Sequence, residues 1–155
     1  MLGRVDAVEV RLARQSVALP GGLTDPDQPS GERWEAGQVW AHMAEILPYW
    51  IAQANVVISG GASGEGPVPF GRVKSNSDRI AAIEGRRQDP LPDLWKKVKA
   101  DIERLRSFIR SLPEAAWDRE GSHQTLGTMD VKKIVEEFMV GHLEQHADQL
   151  DSLGH

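Results

Sequence analysis

Four stretches of the chain repeat apolar residues at helical spacing, and the polar segments between them hold most of the prolines and glycines. From Arg4 to about Leu19, the positions Val5, Val8, Val10, Leu12, Val17 and Leu19 give a helical period that Pro20-Gly21-Gly22 closes. The strongest amphipathic pattern begins near Glu32 or Arg33 and runs through Val39, Met43, Ile46, Leu47 and Trp50 to Val57. A third helix starts at Pro90 or Pro92, carries Leu94, Val98, Ile102, Leu105 and Ile109, and is stopped by Pro113. The last runs from Val131 to about Leu153, with capping residues in Thr128-Met129-Asp130. A shorter helix over Asp78 to Glu84, capped by Ser75 or Ser77, precedes the third long one.

Thr24 to Gly31 is turn-rich, Ser59 to Pro69 reads as a flexible linker, and Glu114 to Gly127 forms a further connection. No segment reads as a convincing strand and no internal repeat is present. The expected fold is therefore all-α: a four-helix bundle in one domain over residues 1–155. About thirty residues join the second and third long helices, too many for a tight hairpin and enough to cross the bundle. Pro48 removes the hydrogen bond to the Ala44 carbonyl and should kink the second helix.

Composition narrows the chemistry. At 155 residues, 40% hydrophobic and 26% charged, the chain can bury one core without staples. It has no cysteine, which excludes disulfides, thiolate ligands and a protein-borne thiol nucleophile. Charges near the N-terminus and the absence of about 18 consecutive apolar residues argue against a signal peptide or membrane span, so the expected location is cytoplasmic. A net charge of −5 argues against nucleic acid as partner, and the cluster Lys96, Lys97, Lys99, Arg104, Arg106 and Arg110 reads as a solvated helix face.

Against this background the histidines stand out. His42 falls between Val39 and Ile46 on the inward side of the second helix. His142 and His146 continue the stripe of Val135, Phe138, Leu150 and Leu153 on the last. Histidines at i and i+4 lie one turn apart and can share an ion through neutral ring nitrogens. With His42 they make a candidate three-histidine site suited to zinc, nickel or ferrous iron, with room for water or substrate. A zincin is excluded because Leu143, not glutamate, follows His142, and a di-iron bundle because only the reversed pair His42-x-x-Glu45 is present. Glu45 is a candidate general base or ligand-orienting carboxylate, set against an exposed helix carboxylate. Gln149 could bond a ligand histidine or simply cover the bundle end, and Trp34, Trp40, Trp50 and Trp95 read as core and rim packing ahead of a substrate-stacking box, although Trp50 is placed to line a pocket. Gly141 could permit close helix approach. His123 and His155 are left outside the site.

The segments Trp34-x4-Val39-Trp40-Ala41-His42-Met43-Ala44-Glu45 and Gly141-His142-x3-His146-x2-Gln149-Leu150 resemble those of the DinB-like superfamily of four-helix-bundle metalloproteins. The resemblance spans Arg4 to Leu153. It implies an up-down-down-up bundle, one divalent metal on His42, His142 and His146, and frequent homodimers. It also implies thiol-dependent transferase or isomerase chemistry, in which the metal presents mycothiol or bacillithiol to an electrophile. The mycothiol-dependent isomerase branch has a carboxylate among its three ligands, whereas this chain has histidine at all three. The expected function is a metal-dependent enzyme activating a low-molecular-weight thiol for S-transfer to a small electrophilic substrate. Arg72 or Arg79 could hold a carboxylate of that thiol. A non-catalytic metal-binding stress-response or interaction protein and a metal-dependent hydrolase are the alternatives.

Overall fold

The computed structural model describes residues 1–60 and 66–153 and is mostly helical. Helix α1 (Leu2–Gln15) buries Val5, Val8 and Leu12 and stops short of the expected Leu19. Val10 and Val17, counted in the apolar period, are 54% and 85% exposed, so no core draws the helix onward. Thr24 and Trp34 then pair through backbone and hydroxyl, with Thr24 N donating to Trp34 O at 2.8 Å and Trp34 N to Thr24 Oγ1 at 2.9 Å. This extended pair delays α2 to Ala36–Gly60, later than the predicted start at Glu32 or Arg33.

Helix α3 (Ser77–Arg86) is capped by Asn76, whose Oδ1 accepts from Arg79 N at 3.0 Å, rather than by either serine. Helix α4 (Leu91–Ser111) begins with Pro92 in its first turn, where a missing N–H leaves nothing unsatisfied. The expected solvated basic face of α4 is only partly so. Asp101 is fully buried and holds Lys97, and the buried Arg106 bridges to Asp6 and Glu9 on α1.

The final helix is not one regular element. It comprises α5 (Val131–Ile134), a π-helical turn over Val135–Val140 and α6 (Gly141–Ser152). Asp130 caps it as expected, its Oδ1 accepting from Lys133 N at 2.7 Å. Helix α2 sits at the centre, packed on α3, α4, α6 and the π turn, while α1 rests on α4 and α6. Trp40, Met43, Ile46, Ile102, Met139 and Leu143 are among the largest side chains wholly removed from solvent.

The expectation of no strand is corrected. Strands β1 (Val68–Phe70), β2 (Glu120–His123) and β3 (Gly127–Asp130) form a small sheet in that order. β1 runs parallel to β2, with Phe70 opposite His123, and β2 pairs antiparallel with β3 through a tight hairpin. Strands of three or four residues are too short to show a period of two, and the β1 partner lies about fifty residues downstream. The segment read as a linker thus ends in β1, with residues 61–65 outside the described ones, and the second connection contains β2 and β3. No described helix is long and apolar enough to cross a membrane.

Candidate metal centre

Two helices bring the three histidines together. His42 projects from α2, six residues before the internal Pro48, and His142 and His146 come from the first two turns of α6. One ring nitrogen from each lies within 4.8 Å of the other two, forming a group that could hold a metal ion. His42 Nε2 and His142 Nε2 are 3.3 Å apart. Two nitrogens on a tetrahedral ion with bonds of about 2.0–2.1 Å are separated by about 3.3–3.4 Å, so this pair already has the spacing of two ligands.

The far sides of two of the rings, His146 and His42, meet side chains three residues along. His146 Nδ1 meets Gln149 Oε1 at 2.6 Å, which puts the proton on Nδ1 and leaves Nε2 as a bare lone pair. That Nε2 is buried with no hydrogen-bond partner. Glu45 Oε1 lies 2.8 Å from His42 Nδ1, too oblique for a ring N–H bond but in close ionic reach. Glu45 is therefore no exposed helix carboxylate: its side chain is 11% exposed and also pairs with Arg72. Trp34 caps the cluster, stacked on His146 and edge-on to His42.

Burial sets the protonation state. It holds His42 and His142 well below the ordinary histidine range, aided by neighbouring His146. Burial likewise lowers His146 to about 4, against the opposing pull of its Gln149 bond. All three imidazoles are neutral near pH 7 and present lone pairs. A buried lone pair without a donor is costly unless something electrophilic meets it, so the donor set fits a borderline divalent cation.

The π turn shapes what lies beside the cluster. Gly141 N donates to the Glu136 carbonyl, five residues back, and a Cβ at this glycine would stand 2.8 Å from that oxygen. The space expected for a neighbouring helix is thus filled mainly by the turn's own backbone. The turn carries Phe138 onto Trp50, with ring centroids 4.3 Å apart and planes at 13°. These two rings form the apolar wall of a cavity of about 450 Å³ that opens beside His42 and His142. Trp50 lines it as expected, and Arg72, Lys74 and Arg79 bring positive charge to it.

His123, set aside in the sequence, is buried and lines the same cavity. Its Nδ1 accepts from Thr125 N at 3.2 Å and Leu126 N at 3.3 Å, so Nε2 carries the proton and donates to the Arg72 carbonyl at 3.2 Å. Both nitrogens are engaged, and the ring ties the β2–β3 turn to the segment holding Arg72. Gly71, at φ +86°, makes that approach possible, since a Cβ there would lie 2.5 Å from the His123 ring. A polar loop with no periodicity gave no signal for this role. His155 lies outside the described residues.

Comparison with known proteins agrees with this architecture. The sequence profile described as the DinB superfamily matches residues 25–150. No curated protein matches significantly. Two crystal structures of a mycothiol-dependent maleylpyruvate isomerase, one a histidine-to-alanine variant, superpose with TM-scores of 0.66 and 0.67 at 17% identity. Each covers 96% of this chain, which spans 58% of theirs. An uncharacterised protein from Clostridium difficile 630 superposes with a TM-score of 0.55 at 11% identity, covering 96% of this chain and 90% of that one.

Proposed function

The chain belongs to the DinB superfamily, and from that premise we propose that it is a metal-dependent enzyme. In this reading His42, His142 and His146 hold one divalent ion, zinc, nickel or ferrous iron, at which a low-molecular-weight thiol of the mycothiol or bacillithiol type is activated for S-transfer to a small electrophile. The bound ion supplies Lewis acidity that brings a thiol's pKa towards neutrality. The observation that carries the reading is the buried, partnerless Nε2 of His146 beside the closely spaced Nε2 atoms of His42 and His142.

The chain's own residues supply the rest. Gln149 fixes the His146 tautomer, and Glu45 braces His42 from behind. Because Glu45 is taken up by His42 and Arg72, it serves better as a positioning residue than as a base meeting substrate. Trp50 and Phe138 keep water from the cavity side, and a space of about 450 Å³ favours an open, reactive site over a closed structural ion. The same reading includes an up-down-down-up bundle, one domain over residues 1–155, a cytoplasmic setting and a homodimer.

Cobalt substitution tests the proposal. Adding 2-mercaptoethanol to the cobalt protein should produce a saturable sulfur-to-cobalt absorption band that the His146→Ala variant lacks. Absence of the band at saturating thiol, with ester hydrolysis by the same protein, would replace thiol activation by hydrolysis.

A further inference from the structure

Arg79 is the least compensated cation of the cavity wall. Its side chain is 8% exposed, its ion pair with Glu32 Oε2 is long at 3.7 Å, beyond hydrogen-bond range, and its guanidinium lies over the Trp34 ring at 5.4 Å from the centroid. Among the described residues its guanidinium has one hydrogen-bond acceptor, the Lys74 carbonyl at 2.8 Å. The other two cations are matched: Arg72 by Glu45, and Lys74 by Asp27 at 2.6 Å. A guanidinium has five donors in a planar fork suited to a carboxylate, so a buried arginine with one neutral acceptor leaves much of that capacity open.

Position gives this capacity a purpose. Arg79 lines both the large cavity and the smaller one, of about 80 Å³, into which His146 faces, and His42 and His142 border both. Three neutral imidazoles bring no negative charge, and Glu45 is neutralised by Arg72. Of the three cations over the apolar wall, Arg79 alone lacks a hydrogen-bonded carboxylate, which suits it to an anion with a hydrophobic body.

We infer that this cavity takes a ligand bearing one anionic group, a carboxylate above all, received by the Arg79 fork while its apolar body lies along Trp50 and Phe138. The inference rests on the proposed function only for placing the reacting end beside His42 and His142; the anion subsite itself stands on Arg79 and the cavity.

Two probe pairs test it and separate the sources of the anion. Phenylacetate should quench the tryptophan fluorescence of the purified protein with an affinity about tenfold above that of neutral phenylacetamide, a difference of about 1.4 kcal/mol. On the cobalt protein, 3-mercaptopropionate should outcompete 3-mercaptopropionamide by a similar factor. Preference in the first pair places the anion on the second substrate, and preference in the second pair alone places it on the thiol. Either should vanish in Arg79→Gln and persist in part in Arg79→Lys, which retains the charge. A readout needing no variant is the Arg79 Nε–H resonance, which the preferred carboxylate should shift and its amide should not. No preference in either pair, or one unchanged in Arg79→Gln, overturns the inference. Carboxylate preference with phenylacetate, but no cobalt–sulfur band with any thiol, would instead sink the thiol reading and leave the anion site standing.

Discussion

At His146 the burial that prepares a lone pair also makes the metal-free protein sensitive to acid. Its folded-state pKa of about 4 lies below the ordinary 6.5, so across that window the unfolded chain binds more protons. Stability of the chelated protein should therefore be complete above about pH 6.5 and fall towards pH 4, by roughly 3 kcal/mol from this one group. Denaturant titrations at pH 7.5, 6 and 5 check this, and a flat profile would mean that the ring is solvated. Gln149→Ala removes the bond that fixes the His146 tautomer and should weaken metal binding about 10–100-fold while leaving the fold intact, as measured by competition with a chromogenic chelator. The three histidines were legible in the sequence because they continue apolar stripes on long helices. His123 was not, since its strand is four residues long and its partners are backbone groups of the β2–β3 turn and of Arg72. Arg79 was legible as a cation near the pocket, but its weak pairing depends on where α3 and Glu32 settle.

Among the elements, the π turn distinguishes local propensity from tertiary demand. In a regular helix, Gly141→Ala should stabilise by about 1 kcal/mol. Here a Cβ would stand 2.8 Å from the Glu136 carbonyl oxygen, a backbone atom that cannot swing aside. The expected outcome is a loss of about 1–2 kcal/mol, together with weaker metal binding as His142 is displaced. Equal or greater stability would show that the turn reverts to α geometry without consequence. Four long helices were readable from their periodicity, whereas the π turn and the sheet were not. A π turn inserts within an unbroken apolar pattern, and the sheet joins short segments whose pairing is decided by the tertiary path.

On the scale of the molecule, the central α2 and the outer α6 both contribute to the candidate site, so an ion there would link elements about a hundred residues apart in the chain. The helical class and the pairing of His42 with His142 and His146 were accessible from sequence because helix faces are periodic. The cavity was not, because it lies between the π turn, β2 and the loop after β1. Binding only to the folded chain would stabilise it by mass action, by about 4 kcal/mol at a thousandfold excess over Kd. The most direct measurement is elemental analysis of untagged protein, wild type against His42→Ala and His146→Ala, with melting curves before and after chelation. The account predicts about one zinc, nickel or iron per wild-type chain, lost in both variants, and a lower melting temperature on chelation. A metal-free wild type whose melting temperature is indifferent to chelator and to added zinc would contradict it, leaving His42, His142 and His146 as core residues.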